Sequence, residues 1–167
     1  MSSEARQFMA VVLGATALAC GLGIALDLVT ANVAVGYFSI HHRRVVDTES
    51  PWILAIVWGI GASWWFGAIA GALVGFINHR REEPLEPRRI LRWVAWACVV
   101  LWVLMIAVLA GVYLFAGTIP LEQQTETFEH DRRLIAVAMA HQLEYALGAV
   151  AFLVIAIKTW RAPPPAD

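Results

Sequence analysis

Charge is scarce along most of this chain, and its distribution argues against a soluble domain. Only 15% of the residues are charged and 60% are apolar, and the charged residues fall into short blocks between apolar runs. A chain with a formal net charge of -1 also lacks the basic surface that nucleic-acid binding needs, so no nucleic-acid partner is expected. The composition instead predicts a membrane protein.

Cysteine is nearly absent, and the motifs of common enzyme classes are missing. The two cysteines, Cys20 and Cys98, both lie inside apolar runs, which favours small buried thiols and gives no disulfide framework. The sequence contains no catalytic Ser/His/Asp order, phosphate-binding loop, paired-cysteine motif or Gly-rich nucleotide fingerprint. These absences favour a function other than catalysis.

Four apolar runs are long enough to cross a bilayer, and they cover residues 8–38, 51–78, 89–117 and 134–160. A hydrocarbon core of about 30 Å needs roughly 20 apolar residues in a helix. Continuous apolarity indicates helices, because the strands of a membrane barrel alternate polar and apolar residues. We therefore predict an all-α integral membrane protein, a four-transmembrane-helix bundle that forms a single domain over residues 1–167.

The Lys and Arg residues beside these runs predict the orientation, because cytoplasmic loops are enriched in them. On one side lie Arg6, Arg80, Arg81, Arg88, Arg89, Arg92, Lys158 and Arg161, and on the other lie Arg43, Arg44, Arg132 and Arg133. The larger group accompanies both chain termini. We therefore expect a multi-pass protein of the bacterial inner membrane with both termini in the cytoplasm.

Three ionisable side chains lie well inside the predicted spans. Such groups are expensive to place in hydrocarbon, so each is a candidate functional residue. By helical spacing, Thr30 shares a face with Asp27 in the first span, and Tyr145 shares a face with His141 in the last span. Ser63 of the second span reaches a comparable depth. The predicted ion-, proton- or ligand-binding site comprises Asp27, Thr30, Ser63, His141, Glu144 and Tyr145.

The residues of this cluster leave three interpretations open. Two carboxylates held close together in low dielectric cannot both stay ionised cheaply, which favours proton or cation binding or transport. Alternatively, His141 and Glu144 on one helical face, with Asp27 as a third ligand, suit a single metal ion. In the third interpretation the polar contacts only fix the helix register. Haem is not expected, because His141 is the only imidazole well inside a span.

The second apolar run carries small residues at intervals of four. Helices in lipid pack closely where small side chains let their backbones approach. We therefore predict a helix-packing face formed by Gly59, Ser63, Gly67, Gly71 and Gly75. The same face supports an alternative function, a structural or accessory subunit that packs against itself or against another membrane protein.

Imidazole and guanidinium groups cluster at the predicted outer edge of the first and fourth spans. They are His41, His42, Arg43, Arg44, His130, Arg132 and Arg133. If these two spans are adjacent, the groups meet above Asp27 and Glu144. There they would line an entrance or bind lipid head groups, since such side chains commonly anchor at the membrane interface. Membrane lipids are thus expected partners.

Overall fold

The structure, a computed structural model, describes residues 2–40, 42–43, 45–116 and 126–163, with backbone only for residues 116 and 126–131. These residues form helices and no strand: α1 (Ser3–Val33), α2 (Val35–Ser39), α3 (Pro51–His79), α4 (Pro87–Ala116) and α5 (Glu126–Arg161). All except α2 include a stretch long and apolar enough to cross a membrane. The predicted fold class, an all-α four-helix membrane bundle, is confirmed.

The first apolar run differs from the single span that its hydropathy predicts. α1 begins after Ser2, whose hydroxyl accepts a hydrogen bond from the amide of Ala5 at 3.2 Å, as expected of an N-terminal cap. The run is interrupted at Ala34, where the backbone (φ −146°, ψ 81°) leaves the helical region. The short helix α2 follows this break and packs against α1, α3 and α5.

α1 and α3 form the most extensive helix pair of the bundle. A Cβ atom added at Gly67 would lie 2.8 Å from Cα of Thr16, and one added at Gly71 would lie 2.9 Å from Cα of Val12. Successive glycines of α3 therefore meet earlier and earlier residues of α1, which makes the pair antiparallel. Side chains larger than hydrogen at these positions would push the two backbones apart.

Buried apolar residues form two separate clusters. The first includes Ala31, Phe38, Leu54, Val137 and Ala140, around the end of α1 and the beginning of α3. The second includes Val11, Val74, Leu85, Ile90 and Ile155, near the chain termini. In the sequence, Asp27 lies one helical turn before Ala31 and His141 directly follows Ala140, and both alanines belong to the first cluster. Asp27 and His141 are themselves buried.

Polar contacts close the bundle at the end that carries both termini. Both polar atoms of the Asn78 side chain bind the backbone of Leu85, with Nδ2 donating to its carbonyl at 3.0 Å and Oδ1 accepting from its amide at 2.8 Å. The Arg81 guanidinium donates to carbonyls at the end of α5, those of Thr159, Trp160 and Ala162, at 2.7–2.8 Å. These bonds join the α3–α4 connection to the last helix.

Candidate functional site

His141 of α5 lies between two carboxylates. Its Nε2 atom is 3.4 Å from Oδ1 of Asp27 in α1, and its Nδ1 atom is 3.6 Å from Oε2 of Glu144. These are ion-pair distances rather than those of short hydrogen bonds. All three side chains are withdrawn from the protein surface, with exposed fractions of 5% for Asp27, 9% for His141 and 14% for Glu144. A buried ion pair thus joins the first long helix to the last.

Thr30 lies beside Nε2 of the His141 ring. Its hydroxyl donates to the Leu26 carbonyl at 3.2 Å, and the same oxygen lies 3.3 Å from Nε2 of His141. A hydroxyl has one proton to give, so when Thr30 donates to Leu26 it accepts from His141, which corresponds to the tautomer with a hydrogen on Nε2. That N–H also faces Asp27. In that tautomer, Nδ1 is the ring nitrogen that faces Glu144.

Aromatic side chains cover the His141 ring. Tyr37 is stacked on it, with ring centroids 5.1 Å apart and planes within 9°, and Phe38 meets it edge-on at 5.7 Å. Tyr37 also contacts His42, whose ring lies 5.0 Å from that of Trp58. Nδ1 of His42 donates to the Tyr37 carbonyl at 2.7 Å, which holds the second imidazole in place. The break at Ala34 is what brings this cover over the site.

A small cavity adjoins the three ionisable groups. It has a volume of about 50 Å³, and its walls include Asp27, His141, Glu144, Ser63 and Tyr145. A buried water needs roughly 10–15 Å³ of such volume and two to four polar partners. The cavity is therefore large and polar enough to hold water beside the ionisable groups.

Ser63 and Tyr145, the other predicted residues of the site, lie at its margin. Ser63 lines the cavity from α3. The Tyr145 hydroxyl is 3.5 Å from the carbonyl of Ala62, the limit of a hydrogen bond, and the side chain is 40% exposed. The structure thus places all the predicted residues in one region, but the direct polar partners of His141 are Asp27, Thr30 and Glu144.

Of the residues predicted at the outer edge, His42 lines the cavity. Arg132 instead contacts Tyr113, with Nη2 donating to its hydroxyl at 2.8 Å and the guanidinium 4.0 Å from the ring centroid. Arg133 lies in a surface pocket with Glu49 near the end of α1. Arg43 is exposed. The side chains that lie outside the described residues are His41, Arg44 and His130.

Within the described ranges, no group of three His, Cys, Asp or Glu side chains is arranged to hold a metal ion. The reason is visible at His141, because its two ring nitrogens face different carboxylates. An ion bound at Nε2 would be close to Asp27 only, and an ion bound at Nδ1 would be close to Glu144 only. This geometry does not favour one metal ion bound by Asp27, His141 and Glu144 together.

Sequence reasoning did not identify Tyr37 and Phe38 as parts of the site. Their one sequence signal is their place at the end of the first apolar run, where an interfacial aromatic belt is the ordinary explanation. In the structure both rings contact His141. The backbone break that redirects these two rings occurs at Ala34. Because this residue is neither proline nor glycine, the sequence gives no local signal of the break.

No protein-family model matches the chain, and neither a curated protein nor a solved structure matches it. The class of the protein therefore follows from its own fold and site. It is a small multi-pass membrane protein with a buried polar site centred on the Asp27–His141 ion pair.

Proposed function

We propose that the chain is a proton-binding membrane protein in which His141 holds an exchangeable proton between Asp27 and Glu144. One proton shared between Nδ1 of His141 and Oε2 of Glu144 leaves the cluster with a net negative charge while Asp27 is ionised. Uptake of a second proton by either carboxylate neutralises the cluster. A cation bound beside the carboxylates would do the same, so exchange of a cation for the proton is the second form of this proposal.

The observation that carries the proposal is the position of His141, with one ring nitrogen at each carboxylate. Charges buried away from water are costly unless they are paired and hydrogen-bonded. A proton that moves between Nδ1 of His141 and Oε2 of Glu144 leaves the net charge of the cluster unchanged, and His141 stays beside both carboxylates. The adjoining cavity of about 50 Å³ supports exchange with water, because it reaches all three groups.

The packing of α3 supports this function over assembly through its small-residue face. The accessory-subunit alternative requires that face to point away from the chain, toward a partner. Gly59, Gly67 and Gly71 are instead buried against α1 of the same chain. A partner helix would have to use a different surface.

Nuclear magnetic resonance of nitrogen-labelled histidine, with the protein in lipid nanodiscs, tests the proton sharing. We expect the His141 ring to have a hydrogen on Nε2 and a Nδ1 signal that changes when Glu144→Gln removes its acid partner. Asp27→Asn should change the Nε2 signal more than the Nδ1 signal. Glu86→Gln is the matched control, because Glu86 is an exposed carboxylate in the α3–α4 connection.

Infrared difference spectra of the same samples give an independent readout. His141→Ala should alter the carboxyl bands of both acids, because it removes the group that couples them. If His141 signals are identical in wild type, Asp27→Asn and Glu144→Gln, the three groups share no proton and the proposal is overturned.

Transport is tested separately, in proteoliposomes that contain a pH-sensitive dye. An imposed pH gradient should decay faster with wild-type protein than with His141→Ala, and Glu86→Gln should match wild type. Equal decay in all three would remove transport from the proposal and leave binding.

The proposed location is the bacterial inner membrane, with both termini in the cytoplasm. Its support is the distribution of Lys and Arg beside the spans, eight on the side of the termini and four on the other. With this orientation the His42 side of the cavity lies toward the outer face.

A further inference from the structure

We propose that the protein binds one anionic phospholipid between α4 and α5, with the lipid phosphate held by Arg89 and Lys158. Arg89 lies in the first turn of α4 and Lys158 in the last turn of α5. The two helices are neighbours, and these turns lie at the end of the bundle that carries both termini. Arg89, Lys158 and the Trp93 ring between them are called the cationic seam below.

The two cations meet at one aromatic ring. The guanidinium carbon of Arg89 lies 5.5 Å from the centroid of the Trp93 ring, and the ammonium nitrogen of Lys158 lies 4.3 Å from the same centroid. Trp93 is half-buried and packs against the apolar cluster that includes Ile90 and Ile155, which fixes the position of the ring. Trp93 therefore holds one cation from each helix at the seam.

Among the described residues, no carboxylate forms an ion pair with either cation. Because both cations contact one ring, they are no more than about 10 Å apart, which is one Debye length at 0.1 M salt, so salt screens their repulsion only in part. The first turn of α4 contains no acidic residue, and the positive end of the helix dipole adds to the repulsion. A bound anion between the two cations relieves it.

The position of the seam in the membrane selects a phospholipid as the source of this anion. Both cations lie at the ends of helices that are long and apolar enough to cross a membrane, where lipid phosphates are found. Further into each span, Trp96 lies one turn after Trp93 and Val154 lies one turn before Lys158, and both apolar side chains are exposed. A lipid bound at the seam covers this apolar surface with its acyl chains, whereas a free phosphate does not.

The charge of the seam requires a lipid with a net negative charge. Arginine binds phosphate oxygens through paired hydrogen bonds, and lysine adds a point charge. Arg88 and Arg92, on either side of Arg89 in α4, are exposed and extend the positive potential. This potential attracts an anionic head group and repels the ammonium group of a zwitterionic one. Basic pockets between transmembrane helices bind anionic lipid head groups in this way.

This inference is independent of the proposed proton binding. The cationic seam shares no residue with the ionisable cluster of Asp27, His141 and Glu144. It concerns a different ligand at a different position in the bundle.

Native mass spectrometry of the purified protein in a non-ionic detergent tests the seam. Phosphatidylglycerol and phosphatidylcholine with identical acyl chains are titrated separately, and the dissociation constant of the first bound lipid is measured for each. We expect phosphatidylglycerol to bind about 25-fold more tightly, because each of two cations near a membrane surface contributes roughly a factor of five.

Matched variants assign this preference to the seam. Arg89→Gln and Lys158→Gln should each reduce the preference about fivefold, and Lys158→Arg, which keeps the charge, should preserve it. Arg80→Gln is the matched control, because Arg80 also lies over a ring, 5.4 Å from the Phe76 centroid, and no second cation of the described residues shares that ring. Arg80→Gln should leave the preference unchanged.

A water-soluble head group distinguishes a lipid from a free phosphate. Glycerol phosphate in large excess should not displace phosphatidylglycerol, because it has no acyl chains to cover the apolar surface. Displacement by glycerol phosphate at the same concentration as the lipid would show that the seam binds free phosphate, which would overturn the assignment to a lipid.

Thermal unfolding measures the same binding in a second way, because a ligand of the folded state stabilises it. Phosphatidylglycerol should raise the unfolding midpoint of wild type and Arg80→Gln more than that of Arg89→Gln or Lys158→Gln. Equal affinity of wild type for the two lipids, or a preference that both seam variants retain in full, would overturn the inference. None of these measurements involves His141, so the outcome is distinct from that of the proton proposal.

Discussion

The Tyr37 ring is stacked on the His141 ring, with centroids 5.1 Å apart and planes within 9°. The stack depends on the backbone at Ala34, which ends α1 and starts α2 at the same residue. His141 is therefore covered by residues of α2, the short helix that directly follows α1, and α1 supplies its ion-pair partner, Asp27. The cover and the ion pair form one structural unit, so a change in one should be detected at the other.

Tyr37→Ala should speed the exchange of His141 ring protons with water. The substitution removes the stacked ring, whereas Tyr37→Phe keeps the ring and deletes only the hydroxyl. Aromatic pairs contribute roughly 0.5–1.5 kcal/mol beyond the area that they bury, so Tyr37→Ala should also lower the thermal stability modestly. Histidine-labelled magnetic resonance measures the exchange rate. Equal rates in Tyr37→Ala and Tyr37→Phe would mean that the ring does not shield His141.

Gly67→Ala should destabilise the bundle, and Gly61→Ala on the same helix should not. The new Cβ at position 67 would lie 2.7 Å from Cβ of Ala19 and 2.8 Å from Cα of Thr16, whereas nothing lies within 4 Å of a Cβ at position 61. Overpacking of this kind costs about 1–3 kcal/mol. Alanine at an open helical position stabilises by up to about 1 kcal/mol relative to glycine.

Unfolding in detergent, followed by circular dichroism, compares the two glycine variants directly. We expect a lower midpoint for Gly67→Ala than for wild type and an unchanged or higher midpoint for Gly61→Ala. The same loss in both would mean that glycine matters at these positions for reasons other than the approach of α1.

The four long apolar helices could be predicted from sequence, but the short helix α2 could not. The buried ionisable residues could also be predicted, because the cost of charge in hydrocarbon makes Asp27, His141 and Glu144 conspicuous. Their mutual geometry could not. Helical spacing places His141 and Glu144 on one face, but only the packing of α5 against α1 decides that Asp27 meets the same ring. Each partner was visible in its own helix, and the pairing is a tertiary property.

At the predicted outer edge, too, the contacts of individual side chains could not be predicted from sequence. His42 and Arg132 have similar sequence settings, each in a short basic block at the end of an apolar run. Nothing local distinguishes the histidine that lines the cavity from the arginine that contacts Tyr113. The difference arises from the break at Ala34, which hydropathy does not register.

Asn78→Ala should destabilise the bundle more than Asn32→Ala. Asn78 is buried and satisfies both the amide and the carbonyl of Leu85, which is itself 1% exposed, so its removal leaves two backbone groups without their partner. Each such group costs about 1–3 kcal/mol. Asn32 is exposed and donates to the Leu28 carbonyl one turn earlier in its own helix.

Chemical denaturation of the two asparagine variants measures this difference. Hydrogen exchange should in addition be faster at the Leu85 amide in Asn78→Ala. An unchanged exchange rate at this amide would show that the Asn78 bonds do not order the α3–α4 connection.

Cysteine labelling tests the orientation on which the proposed location depends. In a background in which Cys20 and Cys98 are replaced by serine, Asp47→Cys lies in the α2–α3 connection and Pro84→Cys in the α3–α4 connection, and both native residues are exposed. These connections lie at opposite ends of α3, so they face opposite sides of a membrane that α3 spans. The excess of Lys and Arg beside the α3–α4 connection and the termini predicts that this side faces the cytoplasm.

A membrane-impermeant maleimide added to intact cells should therefore modify position 47, and it should modify position 84 only after permeabilisation. Labelling of position 84 in intact cells, with position 47 protected, would reverse the orientation. The aromatic cover and His42 would then face the cytoplasm. Protons would in that case reach His141 from inside the cell, so the direction of the pH gradient in the proteoliposome assay has to follow this result.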